Sequence, residues 1–358
     1  MSDRKTRKPA TGQVVTLLHE SNCLQDNPLG DPTERVLPVY LPPQYHNPRN
    51  RHRRYPVLFE LAAFTNSGPG RVTWRNFELS LPERIDQLIA RRQMPPAIVV
   101  FPDCFTTLGG NQYLNSSAIG PYADYLTTEL VPFIDKELRT LATRDHRGCL
   151  GKSSGGYGAL LHLMKYPKIW GAAASHAGDA YFDFVYRAEW PSVLTHLQQW
   201  QPKNNPEKPS SPGFDDGRVA AFLEYRQHAK QLSGMDITTL MLLCMAATYD
   251  PDQQAPNGFK LPFDLHTGEL LPSRWKQWLA HDPVRLVSRY QRTLRKARAL
   301  HIDCGWRDQY HIHFGARQLH RALETANVPH HYEEFDGTHS GIDYRLDTSL
   351  PRLARALS

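Results

Sequence analysis

The chain has 358 residues, 40% of them hydrophobic, and a net charge of +6. It holds enough apolar material for one large domain or two ordinary ones, but no run as long as a membrane span, so no membrane partner is expected. The charge comes largely from scattered arginines without interleaved aromatics or a DNA-binding motif, which argues against a nucleic-acid partner.

In chain order, residues 1–12 are basic with no apolar segment behind them, and read as a disordered tail rather than a secretory signal. Gln13–Glu20 and Arg35–Leu41 predict two early strands, the second an edge strand because of Pro38. Tyr55–Ala62 is a third strand, ending in the loop Phe64–Gly70. Pro82–Arg92 predicts a helix with Pro82 in its first turn, and the apolar run Ala97–Phe101 a buried parallel strand. Tyr122–Leu138 has helical spacing, Gly148–Leu150 is strand, and Gly156–Met164 helix. Trp170–Ser175, Ala299–Cys304 and His330–Phe335 predict further strands, with helices over His311–Ala326 (carrying Phe314, Leu319 and Leu323) and Tyr344–Leu357. This alternation predicts an α/β fold: a doubly wound, mostly parallel sheet with helices on both faces.

The stretch 181–281 breaks the rhythm. It carries Trp190, Trp200, Trp275 and Trp278 and the exposed-looking patch Pro202–Gly213, and is too long for a simple connection. It reads as a partly helical lid inserted between core segments 13–180 and 282–358, its tryptophans suggesting room for an apolar or aromatic group. Cys23, Cys104, Cys149, Cys244 and Cys304 are odd in number, widely spaced and without C-x-x-C. No disulfide framework or metal site is expected, and a reducing, cytoplasmic setting fits.

Gly151-Lys152-Ser153-Ser154-Gly155 matches G-x-S-x-G where a strand turns into a helix. A serine on so sharp a turn needs neighbours without Cβ, and the turn lifts its hydroxyl clear of the sheet. The same residues are no phosphate-binding loop, because His146 stands where that pattern requires glycine. Ser153 as a nucleophile needs a base and an orienting acid, in the order serine, acid, histidine on such a sheet. Of 17 histidines, His339 lies in the polar loop between the last strand and last helix. Asp308, in the loop after the penultimate strand, is the favoured acid and Asp303 the runner-up. Backbone N–H groups of Ser154 and of Phe64, with Ala63 next, are expected to hold an oxyanion.

These residues, together with Phe101-Pro-Asp103, Gly109-Gly-Asn-Gln-Tyr113 and Gly337-Thr-His339, resemble the Putative esterase (esterase D-like) family of α/β hydrolases. The resemblance spans about residues 35–180 and 283–355. It implies an α/β-hydrolase fold and a carboxylesterase-type serine hydrolase, cleaving a small-molecule ester or thioester through an acyl-enzyme without a cofactor. The loop after Asp103 departs from the formylglutathione hydrolases of that family, and the missing signal from its secreted members. An acyltransferase using the same three groups, and a non-catalytic binding protein, stay as alternatives; a homodimer is left open. Asp103, Asn111 and Tyr113 are candidates to line a substrate pocket or simply to tie their loop together.

Overall fold

The computed structural model describes residues 11–200 and 213–358. The tail over 1–12, save its last two residues, and the patch Pro202–Gly213, save Gly213, lie outside the described residues.

Eight strands form one sheet: β1 (Gln13–Glu20), β2 (Glu34–Leu41), β3 (Val57–Leu61), β4 (Ile98–Val100), β5 (Arg147–Lys152), β6 (Ala172–His176), β7 (Ala299–Gly305) and β8 (His331–Phe335). Their order is β1-β2-β4-β3-β5-β6-β7-β8, with β2 antiparallel to both neighbours and every pair from β4 to β8 parallel. Side chains alternate across the sheet as the pleat requires. Leu58, Val99 and Leu150 face a layer made by α1 (Leu81–Ala90) and the carboxyl-terminal helix Leu346–Leu357, whereas Val57, Phe59 and Cys149 face the larger core on the other side. That larger core also takes in α2 (122–137), whose middle turn Tyr125–Leu130 winds as a π-helix, and α3 (Ser154–Lys165).

The edge position expected for β2 is corrected: β1 pairs along its full length and forms the edge. Pro38 is tolerated because β2 pairs with β4 only at Val39 and Tyr40. The donor it lacks would have pointed past the end of that ladder.

Between β6 and β7 run α4 (Trp190–Leu197), α5 (Arg218–His228), α6 (Gly234–Tyr249), α7 (Pro272–Leu279) and α8 (Pro283–Leu294). A capping box between Ser233 and Asp236 starts α6, and everything from Leu242 to Tyr249 is buried. Its apolar residues join the same hydrophobic cluster as the sheet. Helix α9 (Ile312–Thr325) and the last helix, α10 (Leu346–Leu357), complete the layers. On α9, Leu319 and Leu323 are buried and Phe314 is exposed. No helix among the described residues is long and apolar enough to cross a membrane.

Candidate active site

At the carboxyl edge of the sheet, Ser153 sits between β5 and α3 with φ 55° and ψ −124°, a conformation costly for any residue with a side chain. The turn holds because its N–H donates to the His176 carbonyl at 2.9 Å and its carbonyl accepts from Tyr157 N–H at 2.8 Å. The flanking glycines are steric requirements. A Cβ on Gly155 would overlap the Leu61 carbonyl, and one on Gly151 would collide with the same oxygen and with the Gly155 backbone. Gly155→Ala is therefore expected to lose stability, by about 3 kcal/mol or more because backbone rather than a flexible side chain must yield. A urea midpoint equal to wild type would contradict this.

Asp308 and His339 come from the loops after β7 and β8. Nδ1 of His339 lies 2.8 Å from Oδ2 of Asp308, and both side chains are buried. A carboxylate can only accept there, so Nδ1 is the donor of this pair. The two loops are stitched together. His339 N–H donates to Gln309 Oε1 at 3.0 Å and Arg307 N–H to the Gly337 carbonyl at 3.0 Å, while within the first loop Tyr310 N–H donates to Asp308 Oδ1 at 2.9 Å. The Tyr310 ring meets His339 edge-on at 4.9 Å.

Ser153 and His339 line one cavity of about 210 Å³, together with Ala63, Phe64, Thr65, Lys152, Ser154, Asp179, Val185, Tyr186, Ile237, Thr238, Met241, Tyr310 and Ile312. Ser153 Oγ makes no hydrogen bond with another described residue. The N–H groups of Ser154, Phe64 and Ala63 likewise donate to no acceptor among them, which leaves them available to a bound group. The structure thus brings Ser153, His339, Ser154 and Phe64 together around one space, with Asp308 behind His339.

It does not bring Asp103, Asn111 and Tyr113 there. Asp103 accepts from Phe105 N–H at 3.1 Å and faces Arg35 at 3.5 Å. Asn111 accepts from Tyr113 N–H, and the buried Tyr113 hydroxyl donates to the Ala62 carbonyl. These three organise the loop after β4. The side chain that reaches inward is Gln112, whose Nε2 lies 2.9 Å from Ser154 Oγ and 3.4 Å from Asp179 Oδ2. Sequence reasoning missed Gln112, Asp179 and Tyr186; the one signal available was Asp179's place just beyond the carboxyl end of β6. The tryptophans expected to shape the pocket do not line it. Trp190, Trp275 and Trp278 are buried against one another, with ring centroids 5.1 and 5.6 Å apart.

Asp303, the alternative acid, belongs to a second buried array. His176 Nδ1 is 2.7 Å from its Oδ1, His301 Nε2 3.1 Å from its Oδ2, and His176 Nε2 2.7 Å from Ser349 Oγ. The His176, His301 and Asp303 ligand atoms converge closely enough to suggest a metal. Arg345 Nε, 3.0 Å from Asp303 Oδ2, already supplies the cation. Burial alone would raise the Asp303 carboxyl, but His176 and His301 hold it well below the usual range.

A family model described as Putative esterase matches residues 32–349. Esterase Rv1288 of Mycobacterium tuberculosis (strain ATCC 25618 / H37Rv) is 34% identical over 163 residues, which is 43% of this chain and 32% of that protein. The similarity therefore spans about a third of the length of the curated relatives it reaches. Among solved structures, a ferulic acid esterase superposes with a TM-score of 0.59 at 18% identity, over 98% of this chain and 100% of that one. The S-formylglutathione hydrolase from Agrobacterium tumefaciens gives 0.56 at 16% identity, over 98% of each chain. At those identities the structural likeness speaks for the α/β-hydrolase fold alone.

Proposed function

The chain belongs to the Putative esterase family, and from that premise we propose that it is a serine hydrolase cleaving a small carboxylic ester or thioester through an acyl-enzyme. Ser153 is the nucleophile, His339 the general base and Asp308 the carboxylate that orients it. The observation that carries this reading is the opening of Ser153 and His339 onto one cavity, with Asp308 2.8 Å behind the imidazole.

In the cycle, Ser153 Oγ bonds to the substrate carbonyl carbon as its proton passes to His339 Nε2. The resulting oxyanion takes hydrogen bonds from the Ser154 and Phe64 N–H groups, aimed at it before the reaction begins. The tetrahedral adduct then expels the alcohol or thiol, which leaves with the proton held by His339. Water, deprotonated by the same nitrogen, attacks the acyl-enzyme and frees the acid and the serine. No step needs a metal or cofactor. The inserted segment acts as a lid through Ile237, Thr238 and Met241, which wall the cavity.

The test is intact-protein mass after exposure to a fluorophosphonate. One adduct on the wild-type chain, absent from Ser153→Ala, is expected. Absence of an adduct on the folded wild type would replace this reading with a binding protein that keeps the fold. Acyl transfer would use the same groups; a switch of product from free acid to new ester on adding an alcohol acceptor would favour it over hydrolysis.

A further inference from the structure

The esterase cycle leaves one acidic group of the cavity without a task. Asp179, just after β6, is 5% exposed yet lines the cavity with Ser153 and His339. Its Oδ2 is well served: the Tyr186 hydroxyl donates at 2.9 Å and Gln112 Nε2 approaches at 3.4 Å. Its Oδ1 meets no donor among the described residues and is not sealed from the cavity. Facing the cavity, Oδ1 is left to water until a substrate donor displaces it. Val185, Ile237, Met241 and Ile312 around it are apolar, and the polar lining residues Thr65, Thr238, Tyr310 and Lys152 make no hydrogen bond to Oδ1. Burial pushes the carboxyl up to about 6, although Tyr186, His339 and Gln112 pull the other way.

We propose that Asp179 is a specificity-determining residue whose Oδ1 accepts a hydrogen bond from a hydroxyl on the acyl part of the substrate, so that the preferred substrates are esters or thioesters of short hydroxy acids. This rests on the esterase reading above. The reach is short, because Gln112 spans the whole distance between Asp179 and the residue next to the nucleophile. The space is small too: about 210 Å³ lies below the roughly 300 to 1,000 Å³ usual for ligand pockets. Because the alcohol must leave past His339, the enclosed part is the acyl group. A neutral hydroxyl fits better than an ammonium. Lys152 lines the same cavity without an ion-pair partner among the described residues, and His339 becomes cationic during the reaction, so another positive charge is repelled.

The experiment compares kcat/KM for three 4-nitrophenyl esters: 3-hydroxybutyrate, 3-methylbutyrate and 3-aminobutyrate. They place hydroxyl, methyl and ammonium at one position. The wild type is expected to favour the hydroxy ester over the methyl ester roughly 10- to 100-fold, the size of a hydrogen bond to a charged acceptor. Asp179→Asn should cut that ratio to a few-fold, because a neutral amide replaces the charged acceptor and makes only an ordinary hydrogen bond with the hydroxyl. A wild-type ratio near one overturns the proposal and does not depend on the variant folding. So does an unchanged ratio in a folded Asp179→Asn protein, or a preference for the amino ester. If the esterase reading itself fails, none of the three esters is cleaved and no fluorophosphonate adduct forms. Cleavage of all three at equal rates marks failure of the Asp179 assignment alone.

Discussion

Replacing Ser153 by alanine is expected to lower ester turnover by about 10⁶-fold, the scale seen when a triad nucleophile is removed. Folding should hardly change. Ser153 Oγ makes no hydrogen bond within the described protein and faces the cavity, so its loss leaves no buried partner orphaned. Alanine carries the same Cβ as serine into the φ 55° backbone, so the strain of the turn is also the same in both chains. Steady-state hydrolysis of 4-nitrophenyl acetate, read beside a thermal melt, checks both halves. Residual activity within a hundredfold of wild type would remove Ser153 from the mechanism.

The second large effect separates the two aspartates near the carboxyl end of β7. Asp308→Asn should cost about 10⁴-fold in kcat, since an amide at that position lets the imidazole present the wrong tautomer to the serine. Its melt should stay close to wild type because the side chain keeps its size and its contact with Tyr310 N–H. Asp303→Ala should do the reverse. It strips a buried carboxylate from His176, His301 and Arg345, at a cost of about 3 kcal/mol or more. The folded fraction should still label with fluorophosphonate. The sign of the pH effect follows from Asp303's depressed pKa. Its stabilisation is complete at neutral pH and starts to fade below about 4, where the unfolded carboxyl takes up its proton. Wild type should therefore lose more stability than Asp303→Ala on acidification through that range. Activity lost in Asp303→Ala at full stability would exchange the two roles.

The fold was legible because strands such as Val57–Leu61 and Ile98–Val100 are short, largely apolar runs and the helices between them have their own period, so local signals and the global layering agree. Ser153, Asp308 and His339 could be picked out for the same reason: all three follow strands whose carboxyl ends were readable. Asp179 stands in an equivalent place, but nothing local says that Tyr186 and Gln112 will converge on it from separate loops. Among Asn111, Gln112 and Tyr113, neighbouring side chains point in different directions, and the spacing could not say which one turns inward. The tryptophans misled because large aromatic surfaces suit a ligand pocket and a packed interior equally well. Pro38 misled because the edge rule assumes a full ladder on both sides, and the β2–β4 ladder has only two rungs.

Helix α6 carries Ile237 and Met241 on the wall of the cavity and, from the next residue on, the buried run Leu242–Tyr249 that packs into the sheet's own core. The helix that walls the cavity is thus also part of the core that the sheet packs against. A detachable cap could drift in sequence and be exchanged between relatives at little cost. Here, substitutions that reshape the cavity wall along this helix are expected to change the stability of the whole chain as well, which narrows the set of tolerated variants.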